Sequence, residues 1–101
     1  MTNIKVEKEN NLIVNIEIKG HANYDDIGKD IVCASISSIV TTTVNAIVRL
    51  YGDSIIYVAS EGYINIEVNK HNEYIDTLII NMLELLKELT IKYKKNVKIN
   101  I

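Results

Sequence analysis

From Ile31 to Val48 the chain carries no charged side chain, and this run restricts the fold more than any other. Val32, Ile36, Ile39, Val40, Val44, Ile47, Leu50 and Tyr51 recur at steps of three and four residues, the period of a helix with one apolar side. Asp30 is placed to cap its start and Gly52 to stop it. Its far side holds Ser35, Ser38, Thr42 and Asn45, with Arg49 as the only charge beyond the first turn. Seven Ser, Thr and Asn residues (Ser35, Ser37, Ser38, Thr41, Thr42, Thr43 and Asn45) make the run too polar for a lipid-facing span. Thr41-Thr42-Thr43 also weakens intrinsic helix propensity, so packing must hold this helix. The rest of the chain has to supply that cover, on more than one side.

The remaining segments read as strands and one further helix. Residues 2–8 alternate weakly, Glu9-Asn10-Asn11 is turn chemistry, and residues 12–19 place Leu12, Val14, Ile16 and Ile18 on one face. Gly20 ends that strand. Residues 54–60 and 63–69 flank Glu61-Gly62 as a second hairpin. A second helix runs from about Asn72 to Tyr93, with Ile75, Leu78, Ile79, Met82, Leu86, Leu89 and Tyr93 as its core stripe. Ile80 and Ile91 lie about 150° from that stripe, on a polar face. Residues 96–101 form a last short strand. The order β-β-α-β-β-α-β predicts an α+β domain, with two long helices covering a mostly antiparallel sheet of about five strands. With 101 residues, no repeats and no linker, residues 1–101 read as one domain.

Composition excludes several classes of function. A net charge of −2 and a pI near 5.6 argue against nucleic acid as a partner. The one basic cluster, Lys92, Lys94, Lys95 and Lys98, is accounted for as a solvated helix end. A single cysteine cannot form an internal disulfide, and the N-terminal residues lack a signal-peptide core, so the expected location is cytoplasmic. His21, Cys33, His71 and the acidic residues show no paired metal-ligand spacing, and no phosphate-binding glycine motif is present. The expectation is no metal and no cofactor.

Chemistry concentrates between Gly20 and Ser38. Cys33 falls in the first turn of the long helix, where unpaired N–H groups and the helix dipole favour a thiolate. His21 lies at the strand exit, and a strand-to-helix junction brings a strand's end near a helix's beginning. The imidazole could then take the thiol proton and later protonate a leaving amine. Asp30, Cys33 and Ser37 share one side of the helix, and the N–H groups of Cys33 and Ala34 are candidate oxyanion donors. On residues alone a second account stands beside this one. A cysteine in an apolar helix is commonly a small buried hydrophobe, and Asp30 as a plain cap needs no catalysis.

The run Gly20-His21-Ala22, then Gly28, then Asp30-Ile31-Val32-Cys33-Ala34 and Ser37 resembles the signature of the ribosomal-processing cysteine protease family (Prp, the YsxB-like proteins). Length and element order match along the whole chain. The resemblance implies a cysteine endopeptidase of Firmicutes and related bacteria. Such enzymes remove a short N-terminal extension from large-subunit ribosomal protein L twenty-seven, cleaving after a hydrophobic, aromatic-containing segment. It puts the catalytic pair on His21 and Cys33 and the supporting positions on Gly20, Gly28, Asp30, Ala34 and Ser37. It also implies a mobile loop over roughly residues 22–29 and a homodimer. The alternative is a non-enzymatic binding module of the same fold, acting on ribosomal or assembly proteins, in which Cys33 only packs.

Overall fold

The computed structural model describes residues 1–22, 25 and 30–101. Its elements are β1 (Thr2–Glu9), β2 (Leu12–Lys19), α1 (Ile31–Tyr51), a 3-10 turn (Gly52–Ser54), β3 (Ile55–Ser60), β4 (Tyr63–Val68), α2 (Glu73–Lys92) and β5 (Val97–Asn100). The expected α+β class and element order hold, with boundaries moved by one or two residues. Ser54 belongs to the 3-10 turn rather than to β3, and its hydroxyl donates to the Tyr51 carbonyl at 2.8 Å.

Five strands form one sheet in the order β3-β4-β2-β1-β5. All neighbours are antiparallel except β1 and β5, which run parallel with Thr2 opposite Val97 and Ile4 opposite Ile99. Each hairpin is local, but the order is interleaved. Helix α1 carries the chain past one strand position to the sheet edge, and β4 then returns into the gap beside β2. Helix α2 carries it back across the sheet to the far edge.

Alternation decides which face is covered. Ile4 and Val6 of β1, Ile16 and Ile18 of β2, and Ile66 and Val68 of β4 are buried beneath the helices. The opposite face carries polar side chains, among them Asn15 and Asn65, whose amides exchange hydrogen bonds at 3.0 and 3.1 Å. Leu12 departs from the expected pattern and is exposed. The β1–β2 register shifts between Glu7 and Lys8, which interrupts the alternation before it reaches Leu12.

Asp30 caps α1 as expected, its carboxylate oxygen accepting from the N–H groups of Val32 and Cys33 at 3.0 Å each. Val32, Ile36, Val40, Val44 and Ile47 seal that helix onto the sheet. Leu50, expected in this stripe, is 64% exposed, because the helix ends at the domain's rim. Although α1 is long and apolar enough to cross a membrane, these residues spend its apolar side on the core. Within one chain the cover is one-sided: Ser38, Thr41, Thr42 and Asn45 remain exposed. In α2, capped by Asn72, Ile75, Ile79, Met82 and Leu86 are buried as expected, and Leu83 joins them. Tyr51 stacks on Tyr74 with ring centres 6.5 Å apart, tying the end of α1 to the start of α2.

Candidate active site

Three pieces of backbone converge at the N-terminal end of α1. Strand β2 is followed by Gly20, whose φ of +95° turns the chain out of the sheet and delivers His21. The β3–β4 turn arrives from the side, with the Gly20 N–H donating to the Gly62 carbonyl at 2.9 Å. Helix α1 brings Cys33. Together they enclose a cleft of about 120 Å³ lined by Gly20, His21, Cys33, Ser37, Ser60 and Gly62, with Thr2, Ile18, Ile36, Tyr63 and Ile64 completing the wall.

His21 and Cys33 therefore share one cleft, as the strand-to-helix junction requires. Cys33 is half-buried, and its sulfur accepts a hydrogen bond from the Ala22 N–H at 3.3 Å. His21 is exposed and lies against Gly62, where an added Cβ would stand 3.0 Å from Nε2. Among the described residues, no hydrogen bond joins His21 to Cys33. Burial pushes the Cys33 thiol above its ordinary range, the Ala22 N–H draws it back, and the Asp30 carboxylate pushes it up again. The outcome is upward, against the low-pKa thiol expected from the helix dipole alone. Desolvation comes first, and the Asp30 carboxylate adds to it.

This has a direct consequence in solution. At any neutral pH the resting thiol ionises less than free cysteine, so iodoacetamide should alkylate Cys33 more slowly. The rate should climb only above the ordinary thiol pKa of about 8.5. A midpoint below that value, from the rate measured against pH, would contradict the arrangement.

The supporting residues divide. Gly20 and Ser37 line the cleft, and Asp30 lies beneath Cys33 as its cap. Ala34 does not face the cleft: it is exposed and lines the groove between α1 and α2. Gly28 and most of the 22–29 segment lie outside the described residues. The expected oxyanion donors also need correction. The Cys33 N–H is bound to the Asp30 side chain, and the Ala34 N–H to the Asp30 carbonyl at 3.1 Å. Both are engaged because capping and the first helical turn use them.

Ser60, Gly62 and Thr2 were not legible as site residues. Glu61-Gly62 reads as a turn, but only the β2–β4 pairing carries that turn to His21. Gly62 has φ +68°, so alanine there is strained as well as crowded against the imidazole. Gly62→Ala should displace His21 and lower whatever activity the cleft supports about ten-fold or more, while costing only about 1–2 kcal/mol of stability. Activity and denaturant midpoints measured together check this.

Comparison with known proteins identifies the family. The family model described as cysteine protease Prp matches residues 1–98. The ribosomal processing cysteine protease Prp of Staphylococcus aureus is 30% identical over 91 residues, covering 87% of this chain and 86% of that protein. A shorter match, 42% identical over 40 residues, links 40% of the chain to 36% of the Bacillus subtilis protein of the same name. The crystal structure of the S. aureus protease with a covalently linked product peptide superposes with a TM-score of 0.90 at 25% identity, covering 99% and 98% of the two chains. A Streptococcus mutans structure shares the fold, with a TM-score of 0.86 at 24% identity and coverage of 100% and 93%. The chain belongs to the Prp family of cysteine proteases and is an enzyme of the hydrolase class.

Proposed function

We propose that this enzyme is an endopeptidase of the cytoplasm that trims the N-terminal extension of large-subunit ribosomal protein L twenty-seven, using Cys33 as nucleophile and His21 as its acid–base partner. One observation carries the reading: in a chain of a cysteine protease family, Cys33 is the only cysteine, and it shares a cleft with His21. The choice of substrate is supported by the S. aureus relatives, which are ribosomal processing proteases. The substrate is a basic protein, and the net charge of −2 is of the favourable sign.

The reaction follows from the groups present. His21 takes the Cys33 proton, and the thiolate bonds to the carbonyl carbon of the scissile peptide, moving the C=O electron pair onto oxygen. Collapse of that oxyanion breaks the C–N bond, and the imidazolium gives its proton to the departing amine. The thioester left on Cys33 is then attacked by water, which His21 deprotonates. The C–S bond breaks, and the sulfur recovers a proton. Asp30 holds the first turn that carries Cys33, and Ser37 lines the cleft one turn on. Incubating the protein with the same organism's extended ribosomal protein, and sequencing the new N-terminus, tests the proposal. An unprocessed substrate would defeat it.

We further infer that the enzyme works as a homodimer, joined along the outer seam of α1 and α2. Ile31 (52% exposed), Leu85 (39%), Leu50 (64%) and Tyr74 (60%) lie along that seam. Grooves of about 610 and 680 Å³ open at its two ends. Between them α1 offers Ser38, Thr42 and Asn45 without charge. The Ile80 and Ile91 face is less suited, since the paired Glu84 and Lys87 separate those two residues. Sedimentation at micromolar concentration should give the mass of two chains, and Leu85→Glu should give one. A wild-type monomer would refute the inference.

A further inference from the structure

Ala22 is 1% exposed and is held from two sides. Its N–H faces Cys33 Sγ at 3.3 Å. Its carbonyl accepts from Asn96 Nδ2 at 2.9 Å, across 74 residues of chain. Asn96 stands just before β5, and its own backbone is already committed. Its N–H donates to the Tyr93 carbonyl, and its carbonyl accepts from the Thr2 N–H, both at 2.9 Å. These two bonds fix the residue between α2, β5 and the start of β1, so the side-chain amide projects from an anchored base.

We propose that Asn96 is a positioning residue for the reacting thiol: by holding the Ala22 carbonyl, its amide keeps the Ala22 N–H aimed at Cys33 Sγ and keeps the adjoining His21 at the cleft. The inference rests on Cys33 being the nucleophile. A donor aimed at sulfur favours the thiolate over the thiol. Once sulfur bonds to the scissile carbonyl carbon, the negative charge sits on that carbon's oxygen, two bonds from sulfur. The Ala22 N–H is then beside the developing charge, whereas those of Cys33 and Ala34 are already bound to Asp30. A donor fixed in advance stabilises that charge without reorganisation, and a freely turning one does not.

The test compares three substitutions in the full-length enzyme. Asn96→Ala removes the amide, and Asn96→Asp keeps its shape but cannot donate when ionised. Asn96→His places a ring Nδ1–H the same number of bonds from the backbone. Alanine and aspartate should move the iodoacetamide pH profile of Cys33 upward, slowing alkylation at neutral pH about five-fold. They should lower kcat about ten-fold or more and leave KM within about two-fold, since Asn96 does not line the cleft. Histidine should recover most of both. If alanine and aspartate lower the melting temperature but leave the alkylation profile and kcat as in wild type, Asn96 is only a tie of the fold and the proposal is overturned. Should those two variants not fold, amide exchange in the wild-type enzyme decides: the proposal requires slow exchange at Ala22, and fast exchange overturns it. Alkylation is read without substrate, so loss of positioning is separable from failure of the nucleophile assignment. The latter would show as cleavage surviving in Cys33→Ala, and it would overturn both.

Discussion

Cys33→Ala should reduce cleavage of an extended ribosomal-protein peptide by about four orders of magnitude or more, while the protein melts as a folded domain. Without sulfur no thioester can form, and water alone cannot use a cleft arranged around the missing atom. The change removes little packing, because Cys33 is half-buried and borders the core without belonging to its sealed interior. Val32 and Ile36, which hold this turn of α1 to the sheet, are untouched. The Asp30 cap uses the Cys33 backbone N–H, which alanine keeps. Substrate binding should therefore survive, so Cys33→Ala should co-sediment with the uncut peptide. His21→Ala should show the complementary signature, a large fall in kcat with the thiol still open to alkylation.

Gly20→Ala should be the most damaging small substitution near the site. At φ +95° an alanine is strained, and its Cβ would press on the Met1 carbonyl oxygen. That carbonyl has little freedom, because the following Thr2 N–H is bound to the Asn96 carbonyl at 2.9 Å. The chain must either distort the start of β1 or swing His21 away from the cleft. A loss of about 3 kcal/mol or more is expected from strain and crowding together. Activity should fall further than stability does. Urea midpoints with cleavage rates check the prediction, and a variant as stable as wild type would show that the close approach is absent.

Much of this arrangement could be read from residues alone, and the reasons are local. Asp30 and Gly52 bracket α1 because capping chemistry needs only neighbours in sequence. The hairpins announce themselves through Asn10-Asn11 and Glu61-Gly62, where positive φ is required at Asn10, Asn11 and Gly62. His21 and Cys33 share a cleft because a strand leads into a helix, which is again a short-range matter. What could not be read depends on pairing across the chain. Nothing near Gly62 says that β4 will lie beside β2, so its approach to His21 was invisible. Asn96 was equally silent, since it reads as the first residue of the last strand and nothing in its neighbours says that its amide will reach Ala22. The state of the thiol also escaped: helix position argues for ionisation, but burial and the Asp30 carboxylate reverse the sign.

The interleaved sheet has a consequence for when the enzyme becomes active. The residues of β1 and β2 are adjacent in sequence, but β1's other neighbour, β5, follows every other strand and helix, and Asn96 comes just before it. Until those residues have been made, Thr2 lacks its backbone acceptor and the Ala22 carbonyl lacks its amide. A growing chain can thus present both the histidine and the cysteine long before it can align them. Synthesis of Asn96 and β5 is thus a late step in building the catalyst, and removing residues 96–100 should silence it.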